Sequence, residues 1–357
     1  MSQFKTPLTE KLQISLPIIQ APMAGGITTP QLVAEISNAG GLGSLAAGYM
    51  EPQQIRAAIV EIRTLTERPF AVNLFAPEHV QEDYARIQRA QELLAPYRDE
   101  LGLPTETPSE PYLPNFSEQL SVVLDEGVNC LSFTFGLPAS EDIETIKEWG
   151  ITLIATATHL LEAILLEESG VDLIVAQGAE AGGHRATFIG QPEQGLVGTL
   201  ALLPLLVNHV RVPIVAAGGV MDGRGLAAAL ALGAAGVQMG TAFLACPESG
   251  AHPLYKEKLS QGTEITTSLS RCFSGRLARG LTNRFITEMQ AHEAEWPGYP
   301  IQNALTRAIR QAAARQNRPE FMSLWAGQGC PLCTTRPAAE LVREWAAQAL
   351  ERSNAGH

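Results

Sequence analysis

The chain has 357 residues, 45% of them apolar and only 17% charged, which argues against long disordered segments. A formal net charge of -12 argues against free nucleic acid or an anionic membrane surface as partner. The opening residues Met1–Lys11 lack the apolar core of a secretory signal, and no run of about 18 apolar residues marks a membrane span. Five cysteines, an odd number, read as reduced thiols in a cytoplasmic protein, so the glycosylation pattern Asn115-Phe116-Ser117 reads as chance.

Apolar runs alternate with helical patterns along the chain. The first run, I-S-L-P-I-I-Q-A-P-M, ends at Met23, and a helix from Pro30 to Asn38 follows, closed by Gly40-Gly41. Next come G-L-G-S-L-A and a helix near Pro52–Thr66. Further strands are expected at Pro69–Phe75, Asn129–Phe135, Ile151–Ala157, Val171–Gln177, Val212–Gly218 and Ala235–Gly240. Continuous apolar runs, rather than alternating ones, suit parallel strands buried on both faces. Eight such units close most simply into an α/β TIM (β/α)8 barrel. A doubly wound open sheet is the alternative, weakened by the lack of G-x-G-x-x-G after the first strand and of any G-x-x-x-x-G-K-[ST].

Two segments break the rhythm. Glu78–Phe116 holds the Pro-rich piece L-P-T-E-T-P-S-E-P-Y-L-P, and Cys246–Arg336 reads as mostly helical. The expected division is a barrel of residues 1–76 and 117–245, and a helical lid of 77–116 and 246–337. The amphipathic stretch Ala338–Glu351 returns to the barrel wall, and residues 338–352 are grouped with it.

In a barrel the C-terminal strand ends share one mouth. There lie Ala21, Pro22, Met23, Asn73, Phe135, Gly136, Thr156, Gln177, Gly218, Gly219, Gln238, Met239, Gly240 and Thr241. The set is polar but nearly uncharged, which suits a planar heterocycle better than a metal or a sugar. A-A-G-G-V and V-Q-M-G-T-A-F-L end consecutive strands, and Thr241–Leu244 reads as a short extra helix, so a phosphate is expected between them.

Ala181, Gly182 and Gly183 carry one histidine, His184, to the same mouth. Small residues admit a bulky ligand, and a histidine there can move a proton near neutral pH. Glu180 in this loop is read as a salt-bridge partner of Arg185. His159, His252 and the other histidines have no comparable setting. Cys330-Pro-Leu-Cys333 lacks the second cysteine pair of a zinc site, and no metal is expected. No G-x-S-x-G supports a serine hydrolase. Asp142 and Glu144 read as solvated, as does the basic run Arg307–Arg318, although Arg307 can face the site and meet an anion.

Taken in order, Pro17–Gly26, Ser132–Pro138, Ala179–Arg185, Ala231–Leu244 and Leu324–Gly329 resemble the nitronate monooxygenases, formerly called 2-nitropropane dioxygenases, and the likeness runs through nearly the whole chain. The resemblance implies a TIM barrel with non-covalent FMN under a helical domain. Met23, Asn73, Gln177, Gly182, Gly219 and Gln238 to Thr241 would contact FMN, and Gly218, Gly219, Gly240 and Thr241 would hold its phosphate. His184 would be the active-site histidine, with Tyr112, Tyr255, Tyr299 and Arg307 at the substrate's polar end. The implied reaction oxidises alkyl nitronates such as propionate 3-nitronate with O2, through a flavin semiquinone and without NAD(P)H. It gives a carbonyl compound and nitrite or nitrate, in detoxification of nitro compounds. A homodimer is compatible with it. Two alternatives stay open: an FMN-dependent NAD(P)H oxidoreductase such as an enoyl-[acyl-carrier-protein] reductase or quinone reductase, and a non-catalytic FMN-binding protein.

Overall fold

The computed structural model describes residues 4–78, 81–105 and 108–355. His79, Val80, Glu106 and Thr107, within the first expected insertion, lie outside the described residues.

Strands follow in chain order: β1 (Ile18–Gln20), β2 (Gly43–Ala46), β3 (Phe70–Phe75), β4 (Cys130–Thr134), β5 (Thr152–Ala157), β6 (Leu173–Gln177), β7 (Gly183–His184), β8 (Ile214–Ala217), β9 (Gly236–Met239), β10 (Thr267–Ser270) and β11 (Ala278–Leu281). Eight of them form one parallel sheet in the order β1-β9-β8-β6-β5-β4-β3-β2. A parallel bridge from Ile19 to Leu42 brings its edges together, so the sheet is a barrel and not a doubly wound layer. The first strand is shorter than its apolar run, because Ser15 and Leu16 donate to the Gly40 carbonyl and Ala21–Met23 turn into the mouth.

The period of two sorts side chains along each strand. Ala71, Cys130, Ile154, Leu173 and Val215 point inward and fill the lower barrel. Two or four residues on, the inward positions turn polar: Asn73, Thr134, Thr156 and Gln177. Val72, Leu131, Leu153 and Ile174 point outward against the helices. The interior is therefore dry at one end and hydrogen-bonding at the other.

A six-residue helix, Pro7–Leu12, closes the dry end. Thr6 caps it in a reciprocal pair with Thr9, and Leu8 and Leu12, one turn apart, enter the barrel. Sequence periodicity missed it because six residues hold a single repeat. At the other end of the chain, Ala338–Ala355 packs against helices Gly223–Ala231 and Pro30–Asn38. The approach is close: a Cβ on Gly223 would lie 2.4 Å from the Trp345 carbonyl oxygen. No helix among the described residues is long and apolar enough to cross a membrane.

The two segments outside the βα rhythm share a second apolar cluster. Ile87, Leu94 and Tyr97 of the first pack with Phe285, Leu305, Ile309 and Phe321 of the second. The second is not only helical. Its hairpin β10–β11 pairs with β7, setting Ala278 opposite His184 and Arg279 opposite Gly183. These four-residue strands carry no sustained alternation, so their pairing is decided by tertiary contact.

Candidate active site

A cavity of about 1220 Å3 lies between the polar barrel end and the second cluster. Small-molecule pockets commonly span roughly 300–1,000 Å3, so it has room for a cofactor and a substrate together. Ala21, Pro22 and Met23 line it beyond β1, Asn73 on β3, Thr156 on β5 and Gln177 on β6. Gly182, Gly183 and His184 enter from β7, and Gly218, Gly219, Gln238, Met239, Gly240 and Thr241 from the ends of β8 and β9. Tyr112, Tyr255 and Arg307 reach it from the insertions. Tyr299 stands against its wall, its ring 6.1 Å from that of His184.

The glycine end has the shape of a cradle. Gly218 and Gly219 adopt φ of +106° and +73°, which side chains rarely tolerate. A short 3-10 turn, Thr241–Phe243, follows β9. The N–H groups of Gly219, Gly240 and Thr241 donate to no acceptor among the described residues. Leu324–Gly329 crosses this end: the Gly327 N–H donates to Thr241 Oγ1 (3.0 Å), and a Cβ on Gly182 would meet Gly327 N at 2.4 Å. Cys333 Sγ donates to the Thr241 carbonyl at 3.1 Å, and the Cys333 thiol is pushed up to about 12 by burial and by Cys330 and Cys246.

On the floor, Asn73 donates to the Ser132 carbonyl and hydroxyl and to Thr134 Oγ1 at 2.9–3.2 Å. Gln177 donates to the His184 carbonyl (3.0 Å) and accepts from the Ala186 N–H (2.9 Å), tying β6 to the histidine loop. The expected Glu180–Arg185 salt bridge does not form. Glu180 accepts from Thr199 N and Oγ1, whereas Arg185, fully buried, donates to the carbonyls of Gln177, Gly178 and Gly195. Three carbonyl acceptors spread along the loop suit the guanidinium fork better than one carboxylate. Of the other histidines, His159 bonds the Ile189 carbonyl, and His252 caps helix Pro253–Ser260 while reaching the cavity edge. Asn115 caps helix Phe116–Asp125.

His184 Nε2 lies 2.8 Å from Ser274 Oγ. Phe135, Trp325 and Tyr299 surround its ring at 5.4–6.1 Å. Burial, then the Arg276 and Arg310 cations, hold its pKa down at about 3, so it is neutral at physiological pH. With a neutral nitroalkane, kcat/KM should therefore show no histidine step between about pH 5 and 7, where an unperturbed imidazole (about 6.5) protonates. A pH profile with a step there would contradict this environment.

The cations are not equivalent. Arg276 pairs with Glu78 and lies 4.0 Å over the Phe135 ring. Arg307 is exposed at the cavity mouth and, among the described residues, donates only to the Tyr112 carbonyl, at 3.3 Å. Arg310, one turn further along helix Ile301–Arg315, lies deep and faces the cavity. It donates to Thr306 Oγ1 and to both oxygens of Asn303, and among the described residues it has no carboxylate partner. The Tyr49 and Tyr299 hydroxyls are buried without a well-aligned partner, though close enough to couple to each other, and burial pushes both pKa values up. The Tyr112 hydroxyl, by contrast, donates to Glu82 (2.5 Å) and that of Tyr255 to the Trp325 carbonyl.

The sequence reading missed Tyr49, Ser274 and Arg310. Arg310 was hidden in a basic run taken as solvated. Its signal was the helical spacing Asn303, Arg307, Arg310, Ala314, which places all four on the cavity face.

The fold is thus that of a (β/α)8 barrel, the class whose sites gather at the C-terminal ends of the strands. The chain belongs to the nitronate monooxygenase family, whose profile matches residues 5–347. A probable nitronate monooxygenase of Staphylococcus aureus (strain N315) is 46% identical over 344 residues, 95% of each chain. One from Staphylococcus saprophyticus is 43% identical over 354 residues, 99% of each. Among solved structures, the nitroalkane oxidase from Streptomyces ansochromogenes superposes with a TM-score of 0.91 at 39% identity, covering 98% of this chain and 100% of that one. FabK from Thermotoga maritima superposes with a TM-score of 0.78 at 30% identity, covering 99% and 98%. Membership makes the chain an oxidoreductase of a flavin-dependent family that oxidises nitronates.

Proposed function

We propose that this enzyme oxidises alkyl nitronates with O2 to a carbonyl compound and nitrite or nitrate, in the cytoplasm, using non-covalent FMN and no NAD(P)H. The observation that carries the reading is the pairing, within one cavity, of a glycine cradle and uncharged floor with an uncompensated guanidinium beside a neutral histidine. The residues fit FMN. The free N–H groups of Gly219, Gly240 and Thr241 suit its phosphate, together with Gly218. Met23, Asn73, Thr156, Gln177, Gly182, Gly183, Gln238 and Met239, with Ala21 and Pro22, offer edges and amides to its ring system. Bound there, the flavin supplies the electron acceptor and the route to oxygen.

The chain's own residues do the rest. His184, neutral, takes the α-proton when the substrate arrives as a nitroalkane, and the imidazolium so formed hydrogen-bonds the nitronate left behind. Arg310, with Tyr49 and Tyr299, binds negative charge on the substrate inside the cavity. Arg307 and Tyr112 guide the anion at the mouth, and Tyr255 holds Trp325 against the histidine. Residues 77–116 and 246–337 act as the substrate domain over a barrel of 1–76, 117–245 and 338–352.

Gly240→Val tests the cofactor site. Gly240 has φ of -109°, which any residue adopts, so the substitution tests space and not backbone strain. A Cβ there sits 3.3 Å from Ala21 Cβ, and the valine methyls would crowd the phosphate end. The variant should purify folded but without FMN; a full FMN complement would place the phosphate elsewhere. The likeness to FabK keeps an NAD(P)H-dependent reductase as the second reading.

A further inference from the structure

His184 can act as a base only through a ring nitrogen that carries no proton, and the choice of nitrogen is settled by its neighbours. Its Nε2 contacts Ser274 Oγ at 2.8 Å, and among the described residues Nδ1 has no protein partner while the ring lines the cavity. Ser274 is buried and sits in the turn between β10 and β11. Its hydroxyl donates to the Arg276 carbonyl (3.1 Å) and accepts from the Arg276 N–H (3.3 Å). A serine hydroxyl has one proton to give and two lone pairs to receive with. With that proton on the Arg276 carbonyl, which accepts from no other group among the described residues, the remaining lone pair faces His184 Nε2. Nε2 must then be the donor.

The turn is held in this place by close packing. Gly275 has φ of +82°, and a Cβ on it would fall 2.5–2.7 Å from the Pro297 carbonyl oxygen, Gly298 C and Tyr299 N. The Tyr299 segment and the serine turn therefore press together against the histidine.

We propose that Ser274 is a positioning residue that holds His184 as the Nε2–H tautomer, leaving Nδ1 as the proton acceptor facing the cavity. It rests on the reading of His184 as a base. Ser274 is not among the residues that line the cavity and acts only through the imidazole. Its importance is greatest for substrates that must lose a proton, because a nitronate reaches the enzyme already deprotonated.

Two measurements on the FMN-loaded enzyme test this. In protein labelled with 15N-histidine, with His184→Asn to assign the signal, Nε2 should show the shift of a protonated ring nitrogen and Nδ1 that of an unprotonated one. The reverse pattern overturns the proposal, and this reading needs no Ser274 variant to fold. In kinetics, Ser274→Ala should lower kcat/KM for a neutral nitroalkane at least about tenfold relative to that for its preformed nitronate. Ser274→Thr, which keeps the hydroxyl, should restore the ratio. Equal losses for both substrates would make Ser274 merely structural and overturn it. Absence of turnover with nitronate in the unmodified enzyme would instead sink the function, while the tautomer could still be read.

Discussion

His184→Asn should lower kcat/KM for neutral nitroalkanes by about 10^2-fold, the lower end of a positioned general base's contribution, because a low pKa weakens the base. Asparagine retains a polar group of similar reach but offers no basic nitrogen. The variant should bind FMN normally, because the cradle at Gly219, Gly240 and Thr241 does not involve the imidazole. Preformed nitronates should lose much less, since their proton is already gone. Steady-state oxygen uptake with both forms of one substrate checks this. Full activity on the nitroalkane would remove His184 from proton transfer.

Arg310→Met should act on binding. Methionine keeps an unbranched apolar stem and deletes the charge. Truncating one partner of a buried charge pair costs about 2–5 kcal/mol. Because the cavity is open to water before substrate enters, the lower end applies, about a thirtyfold rise in KM for a nitronate that also carries a carboxylate. A nitronate with an uncharged tail should change less. The ligand-free protein should become more stable to heat, because a cation without a carboxylate partner is costly to hold inside. An unchanged KM for the carboxylated substrate, with unchanged melting, would show that Arg310 meets no anion.

What could be read in the sequence was local. The glycine pairs after β8, the V-Q-M-G-T turn after β9 and the Ala-Gly-Gly-His loop each place neighbouring residues at one strand end. Once eight apolar runs are counted, the barrel brings those ends together. The residues that set the charge and protonation of the cavity were less legible, because they arrive by tertiary approach. Ser274 comes from a hairpin whose strands are four residues long, and it meets a histidine 90 positions earlier. Tyr49 follows β2, a strand end whose polar neighbour lies three residues on. Arg310 is one cation in a run of several, and only packing decides that it faces inward while Arg318 pairs with Glu100 and Glu320.

The electrostatics follow from the same placement. Glu162 accepts from the N–H groups of Thr158, Phe188 and Ile189, and Glu180 from that of Thr199. Both acids brace the histidine loop through backbone donors and leave Arg310 unneutralised. An anion in the cavity would satisfy that cation and ease protonation of the nearby His184, so substrate charge and the state of the imidazole are linked.

Anaerobic mixing of the flavin-loaded enzyme with propionate 3-nitronate on one side and NADPH on the other separates nitronate oxidation from NAD(P)H-dependent reduction. The nitronate alone should change the flavin spectrum, and admitting air should give oxygen uptake with release of nitrite or nitrate. Bleaching by NADPH, with no response to this or any other nitronate, would contradict it.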